Sequence, residues 1–198
     1  IDSIIYKLIP FILKVVSVAN KNLDNICEKV ILFLILVALI FSPLATGAVR
    51  TMEFAIVQGL IAVAAIFWVV RIWGDPKHKR LLLPPVVWII FIFIGYALYH
   101  YLTADVEYTA RSELLRLLSY GMMFLIVINN LYKSNHMQII IYAVVLTGAL
   151  IAIYGIIQVI IGSDHVWHFT RPAQYLGRGS GTFINPNHFA GWLGMLLP

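Results

Sequence analysis

Charge is scarce in this sequence. Asp, Glu, Lys and Arg make up 12% of its 198 residues, about half the share found in a soluble globular chain. That is too little charge to cover the surface of a water-soluble protein of this size. Sulfur is scarcer still. The single cysteine, Cys27, rules out an internal disulfide and any cysteine metal cluster. It stands at an expected helix start, where a small buried thiol is the default reading. The first residues hold no cleavable signal pattern. The glycines at 177, 179 and 181 have no strand before them and no P-loop lysine after them, so they are not a nucleotide loop. There is no Ser–His–acid spacing and no defensible pair of catalytic carboxylates.

What the sequence has in excess is hydrocarbon. Hydrophobic residues account for 61% of the chain, in several long blocks. A bilayer core of ~30 Å needs about 20 apolar residues per helix. Blocks of that scale lie at about 26–44, 52–70, 81–99, 113–131 and 137–161, and another opens at His188. The expected fold is an all-α, polytopic transmembrane bundle with five complete spans and the start of a sixth. Residues 1–25 precede it, with Ile4, Ile5, Leu8, Ile9, Ile12, Leu13 and Val16 spaced between Lys7, Lys14 and Lys21. That spacing fits an amphipathic helix lying on the membrane surface. Residues 26–198 form the transmembrane domain, and 162–187 is its longest polar loop. The chain starts at Ile1 and stops at Pro198, about ten residues into an apolar helix, too few to cross a bilayer. It is therefore expected to be the N-terminal portion of a longer polypeptide.

The net charge of +5 points to orientation and anionic lipid rather than to nucleic acid. With the N-terminus in the cytoplasm, Lys7, Lys14, Lys21, Lys29, Arg71, Lys77, Lys79, Arg80 and Lys133 lie inside. Arg50, Arg111, Arg116, Arg171 and Arg178 then lie at or near the outer face. Every lysine is inside, as the positive-inside rule requires. The turn at 43–51, the polar loop at 100–111 and loop 162–187 share the outer side.

The stretch GRGSGTFINPNHFAGWLGMLLP, residues 177–198, combines a basic glycine-rich loop with the start of an apolar helix. Asn185-Pro186-Asn187 is a turn signal, and Asn187 is a suitable N-cap for the run from Phe189. A helix N-terminus favours anions, and Arg178 offers a guanidinium that matches phosphate bidentately. The same residues also read as an ordinary capped helix with a glycine-rich lead-in. Arg171 has the same chemistry, and for both arginines the alternative is a grip on lipid headgroups. Arg50 precedes Glu53 by three residues, which invites a local ion pair. Arg111 and Arg116 flank Glu113 and invite the same reading, although Arg116 lies deeper in its span and needs a partner or water. His188 could donate to a bound anion or simply be a wetted interface residue. Asp164, His165 and His168 have a spacing a metal could use, but no further ligand set is fixed. Trp167 and Phe169 among them fit an interfacial aromatic belt instead.

The run Arg178-Gly179-Ser180-Gly181-Thr182-Phe183, followed by Asn185-Pro186-Asn187-His188-Phe189-Ala190-Gly191, resembles the signature of the O-antigen ligase and polymerase superfamily of bacterial envelopes. Residues 42–49, Ser-Pro-Leu-Ala-Thr-Gly-Ala-Val, are similar to the first outer loop of many members. The order of spans matches the family's N-terminal half. The resemblance implies a metal-independent membrane glycosyltransferase without a cofactor. It would take a glycan from undecaprenyl diphosphate and pass it to lipid A–core, a glycan or a protein. Its place would be the bacterial inner membrane, with a periplasmic active side. Arg178 would hold the diphosphate leaving group. Arg171, Asn187 and His188 would shape the pocket, joined by Arg50 or Arg116. A large outer loop with an assisting histidine belongs to the family's second half. An O-antigen polymerase fits equally, and outward arginines with a broken helix entry would also suit a transporter or flippase for an anionic lipid-linked substrate.

Overall fold

The computed structural model describes the backbone of residues 2–74 and 81–196 and the side chains of residues 21–74 and 81–196. The chain is an all-α, multi-pass membrane protein. Its elements run α1 (Asp2–Leu44), α2 (Thr51–Gly74), α3 (Pro85–Leu102), α4 (Glu107–Asn130), α5 (Ser134–Ile161), β1 (His165–Val166), β2 (Phe169–Thr170), a 3-10 turn (Ala173–Tyr175) and α6 (Pro186–Leu196). Five segments are long and apolar enough to cross a bilayer: Lys21–Leu44, α2, α3, α4 and α5.

The helices differ from the apolar blocks at their ends. The surface segment expected at 1–25 and the span expected from 26 belong to one unbroken helix of 43 residues. That is more than twice what one crossing requires. The amphipathic face expected of residues 1–20 lies outside the described side chains, as do Lys77, His78, Lys79 and Arg80. Helix α3 starts at Pro85, not at Leu81. Pro84 is extended, at φ −61° and ψ 160°, because a residue before proline is barred from the helical region. Pro85 then occupies the first helical position, where its missing N–H costs nothing. The preceding Leu82 bonds instead to the Asn129 side chain on α4, its N–H donating to Oδ1 at 2.7 Å.

Two compact units make up the chain. The first comprises Ile1–Leu34 and Ile61–Tyr132; the second comprises Ile35–Leu60 and Lys133–Pro198. The first unit is organised around Arg71. The apolar block was expected to end at residue 70, but Arg71 belongs to α2 and its side chain is only 3% exposed. It donates to Asp24 Oδ1 at 2.7 Å, to Glu28 Oε2 at 3.2 Å and to Asn130 Oδ1 at 2.8 Å. An arginine buried at the edge of an apolar span must find such partners. The cluster joins α1, α2 and α4. Cys27, beside it in sequence, is buried as expected. In the same unit α3 and α4 form an antiparallel hairpin, packed closely where Gly121 meets Ile94 and Ile90.

The second unit holds the end of α1, the start of α2, α5, the long loop and α6. Its apolar centre is Ile151 of α5, Phe183 of the loop and Phe189 of α6, with Trp192 and Leu193 against them. The ring of Phe183 lies 6.0 Å from Phe189 and 5.6 Å from Trp192. This centre pins the long loop between two helices.

Candidate functional site

The two stretches that carry the family resemblance meet in the second unit. Thr182 Oγ1 donates to the Pro43 carbonyl, and Trp167 Nε1 donates to the Leu44 carbonyl at 3.0 Å. The Phe183 ring lies against Gly47. Thr46 and Ala48 on either side adopt φ of 53° and 52°, a strained state for residues with a Cβ. The turn is braced by Thr46 Oγ1, which donates to Glu53 Oε2 at 2.8 Å. Glu53 is thus engaged with Thr46, and the ion pair expected with Arg50 is replaced. The Arg50 guanidinium sits 3.6 Å over the Phe169 ring.

Loop 162–185 is far from a flexible glycine run. It opens with a two-stranded hairpin pairing His165 with Thr170 and Val166 with Phe169. The two-residue turn puts Trp167 at φ 55°, the positive value that tight hairpins need. Trp167 also stacks on Tyr154 of α5, centroids 5.9 Å apart. Gly179 lies against α5 so closely that a Cβ there would come within 2.7 Å of the Gly155 carbonyl oxygen. This glycine serves loop-to-helix packing, not approach to a ligand.

Gln158 of α5 fastens the same strip. Its Nε2 donates to the carbonyls of Gly181 at 2.9 Å and His165 at 3.1 Å, and its Oε1 accepts from Ser180 N–H at 3.2 Å. Gln158 is buried. Sequence reading missed it, although an amide inside an otherwise apolar span was the available signal.

Arg171 is the loop's internal brace, and its side chain is 2% exposed. It donates to the carbonyls of Arg178 and Ser163, to Asp164 Oδ1 at 3.2 Å and to Ser180 Oγ at 3.4 Å. Asp164 also accepts from Gly177 N–H at 3.1 Å. These bonds hold the Arg171 guanidinium inside the fold, where it braces the loop.

Arg178 is the opposite case. Its backbone carbonyl is held by Arg171, while its guanidinium is exposed and donates to Asn187 Oδ1 at 3.1 Å. It has no acidic partner among the described residues. Asn187 was expected to cap α6 and the helix to open at His188, but α6 begins two residues earlier, at Pro186. Asn185 is the cap: its Oδ1 accepts from Asn187 N–H at 2.9 Å. Proline at the first helical position fixes this start. That leaves Asn187 within the first turn, its side chain turned to Arg178. His188 is exposed on the same turn. Proline has no N–H and the Asn187 N–H is capped, so the helix end offers an anion fewer donors than a bare N-terminus would.

Arg116 belongs to the first unit, where its Nη1 meets Glu113 Oε1 at 3.3 Å, the local pair its spacing predicts. Asp164 and His165 are taken up by hydrogen bonds to Arg171 and Thr170, and His168 lies against the Phe169 ring. No group of three or more His, Cys, Asp or Glu is set to hold a metal among the described residues. Comparison with protein-family models, curated proteins and solved structures gives no match.

Proposed function

We propose that this chain is part of a membrane glycosyltransferase of the O-antigen ligase type. It would move a glycan from undecaprenyl diphosphate to a lipid, glycan or protein acceptor. The observation that carries this reading is Arg178: an exposed guanidinium without an acidic partner among the described residues, on a loop immobilised by Arg171 and Gln158. A preorganised cation of this kind stabilises charge on a diphosphate leaving group without reorganising. Asn187 fixes its direction. His188 and Arg50 are exposed side chains of the same unit, available to a large anionic substrate.

In this reading the loop end of the second unit faces the periplasm and the N-terminus lies in the cytoplasm of an inner membrane. Lys133, exposed just before α5, stands at the opposite end of that helix from the loop, which fits positive-inside placement. The test is transfer of glycan from polyprenyl diphosphate by the full-length protein in membranes. Arg178→Ala is expected to lower the rate by about 100-fold or more, and Arg178→Lys to rescue it only in part, because an ammonium lacks the bidentate fork. Full activity in both variants at normal protein levels would overturn the assignment.

A further inference from the structure

The first unit contains a second polar constellation, in a cleft of about 490 Å³ between α3 and α4. From α3 come Phe93, Tyr96, Ala97, His100 and Tyr101, a single face at i, i+3, i+4, i+7 and i+8. Helix α4 faces them with Ala110, Glu113, Arg116, Leu117 and Tyr120. Two small residues, Ala97 and Ala110, stand where larger ones would fill the gap. Below them the helices close together at Gly121 and Ile94.

The cleft is graded. His100, Tyr101, Glu113 and Arg116 lie towards the 103–106 connection between the helices, and Phe93, Leu117 and Tyr120 lie further along the spans. Sequence places the polar end where the apolar part of α4 begins, which is headgroup depth in a bilayer. An amphiphile entering from the membrane would meet charge at one end and hydrocarbon at the other.

Both signs of charge are present at that end. Arg116 and Glu113 stand 3.3 Å apart with side chains 28% and 64% exposed. A purely anionic headgroup would meet Arg116 but be opposed by Glu113. A zwitterion satisfies both, its phosphate on Arg116 and its ammonium on Glu113. Tyr96, Tyr101 and Tyr120 line the same cleft, and an aromatic ring near the ammonium adds attraction for it. We propose that this cleft binds a zwitterionic phospholipid, its phosphate on Arg116, its ammonium on Glu113 and its chains along Phe93 and Leu117.

The test uses the full-length protein, extracted from bilayers of equal phosphatidylethanolamine and phosphatidylglycerol, with retained lipid read by native mass spectrometry. Wild type is expected to retain phosphatidylethanolamine over phosphatidylglycerol by about fivefold, the upper range for one exposed ion pair. Glu113→Gln should erase that preference while leaving total lipid similar. Arg116→Gln should lower both lipids, and so should Ala97→Trp, which fills the cleft from a partly exposed position. Melting curves identify any variant that does not fold, and the wild-type ratio needs no variant. Equal retention of the two lipids by wild type, or preference for phosphatidylglycerol, would overturn the proposal. So would an unchanged preference in Glu113→Gln, or unchanged retention in a folded Ala97→Trp.

Discussion

Each unit contains a buried arginine, and the two are held in different ways. Arg71 is held by side chains 43, 47 and 59 residues away in sequence. Two of these are carboxylates, so it closes a charged joint between three helices. Arg171 is held within nine residues of itself, by two carbonyls, a hydroxyl and one carboxylate. It organises one loop. The first arrangement spreads its energy over the helix assembly, whereas the second concentrates on presenting Arg178. A buried guanidinium is thus a joint in one unit and a bracket in the other.

The strongest way to break this comparison is Arg71→Ala. It removes the cation between Asp24 and Glu28, and breaking such a buried pair costs about 3–5 kcal/mol. The expected result is a large drop in melting temperature for the full-length protein in detergent. A drop no larger than that for Arg171→Ala would show that both arginines are local.

Arg171→Ala should cost less overall, about 1–3 kcal/mol for the polar groups it leaves unmatched. Its effect should concentrate in the loop, read as faster protease cleavage between residues 162 and 185 and a fall in transfer activity. Gln158→Leu sharpens the same point from the helix side. It releases three hydrogen bonds to the loop, and the groups left buried set a loss of about 1–3 kcal/mol. Hydrogen exchange should speed up at Ser180 while α3 and α4 stay unchanged. The smallest effect is expected for Arg50→Ala. An exposed cation over a ring contributes about 0.5–1 kcal/mol, so only a slight shift in melting temperature is predicted.

The spans were legible because each is an apolar block of bilayer length, and each of the five overlaps a long apolar helix of the structure. Their ends were less legible, since polar first turns such as Glu107–Ser112 add helix that hydropathy does not register. The start of α6 was misread by two residues: Asn185 and Asn187 are both good caps, and the proline between them decides for the first. Meeting of the 42–49 turn with the 177–183 strip was not readable, because it depends on contacts such as Thr182 to Pro43, 139 residues apart. Arg171 and Arg178 looked alike in sequence. Only the fold separates them, by burying one among carbonyls and leaving the other beside Asn187.

That separation is tested most directly by binding of undecaprenyl diphosphate to the full-length protein in nanodiscs, wild type against Arg178→Ala, with melting temperature recorded on the same samples. The account predicts an affinity loss of roughly tenfold or more, as expected for a charge-assisted contact, with melting unchanged. Equal affinity in the two proteins would contradict it and return Arg178 to the role of an ordinary loop residue beside a capped helix.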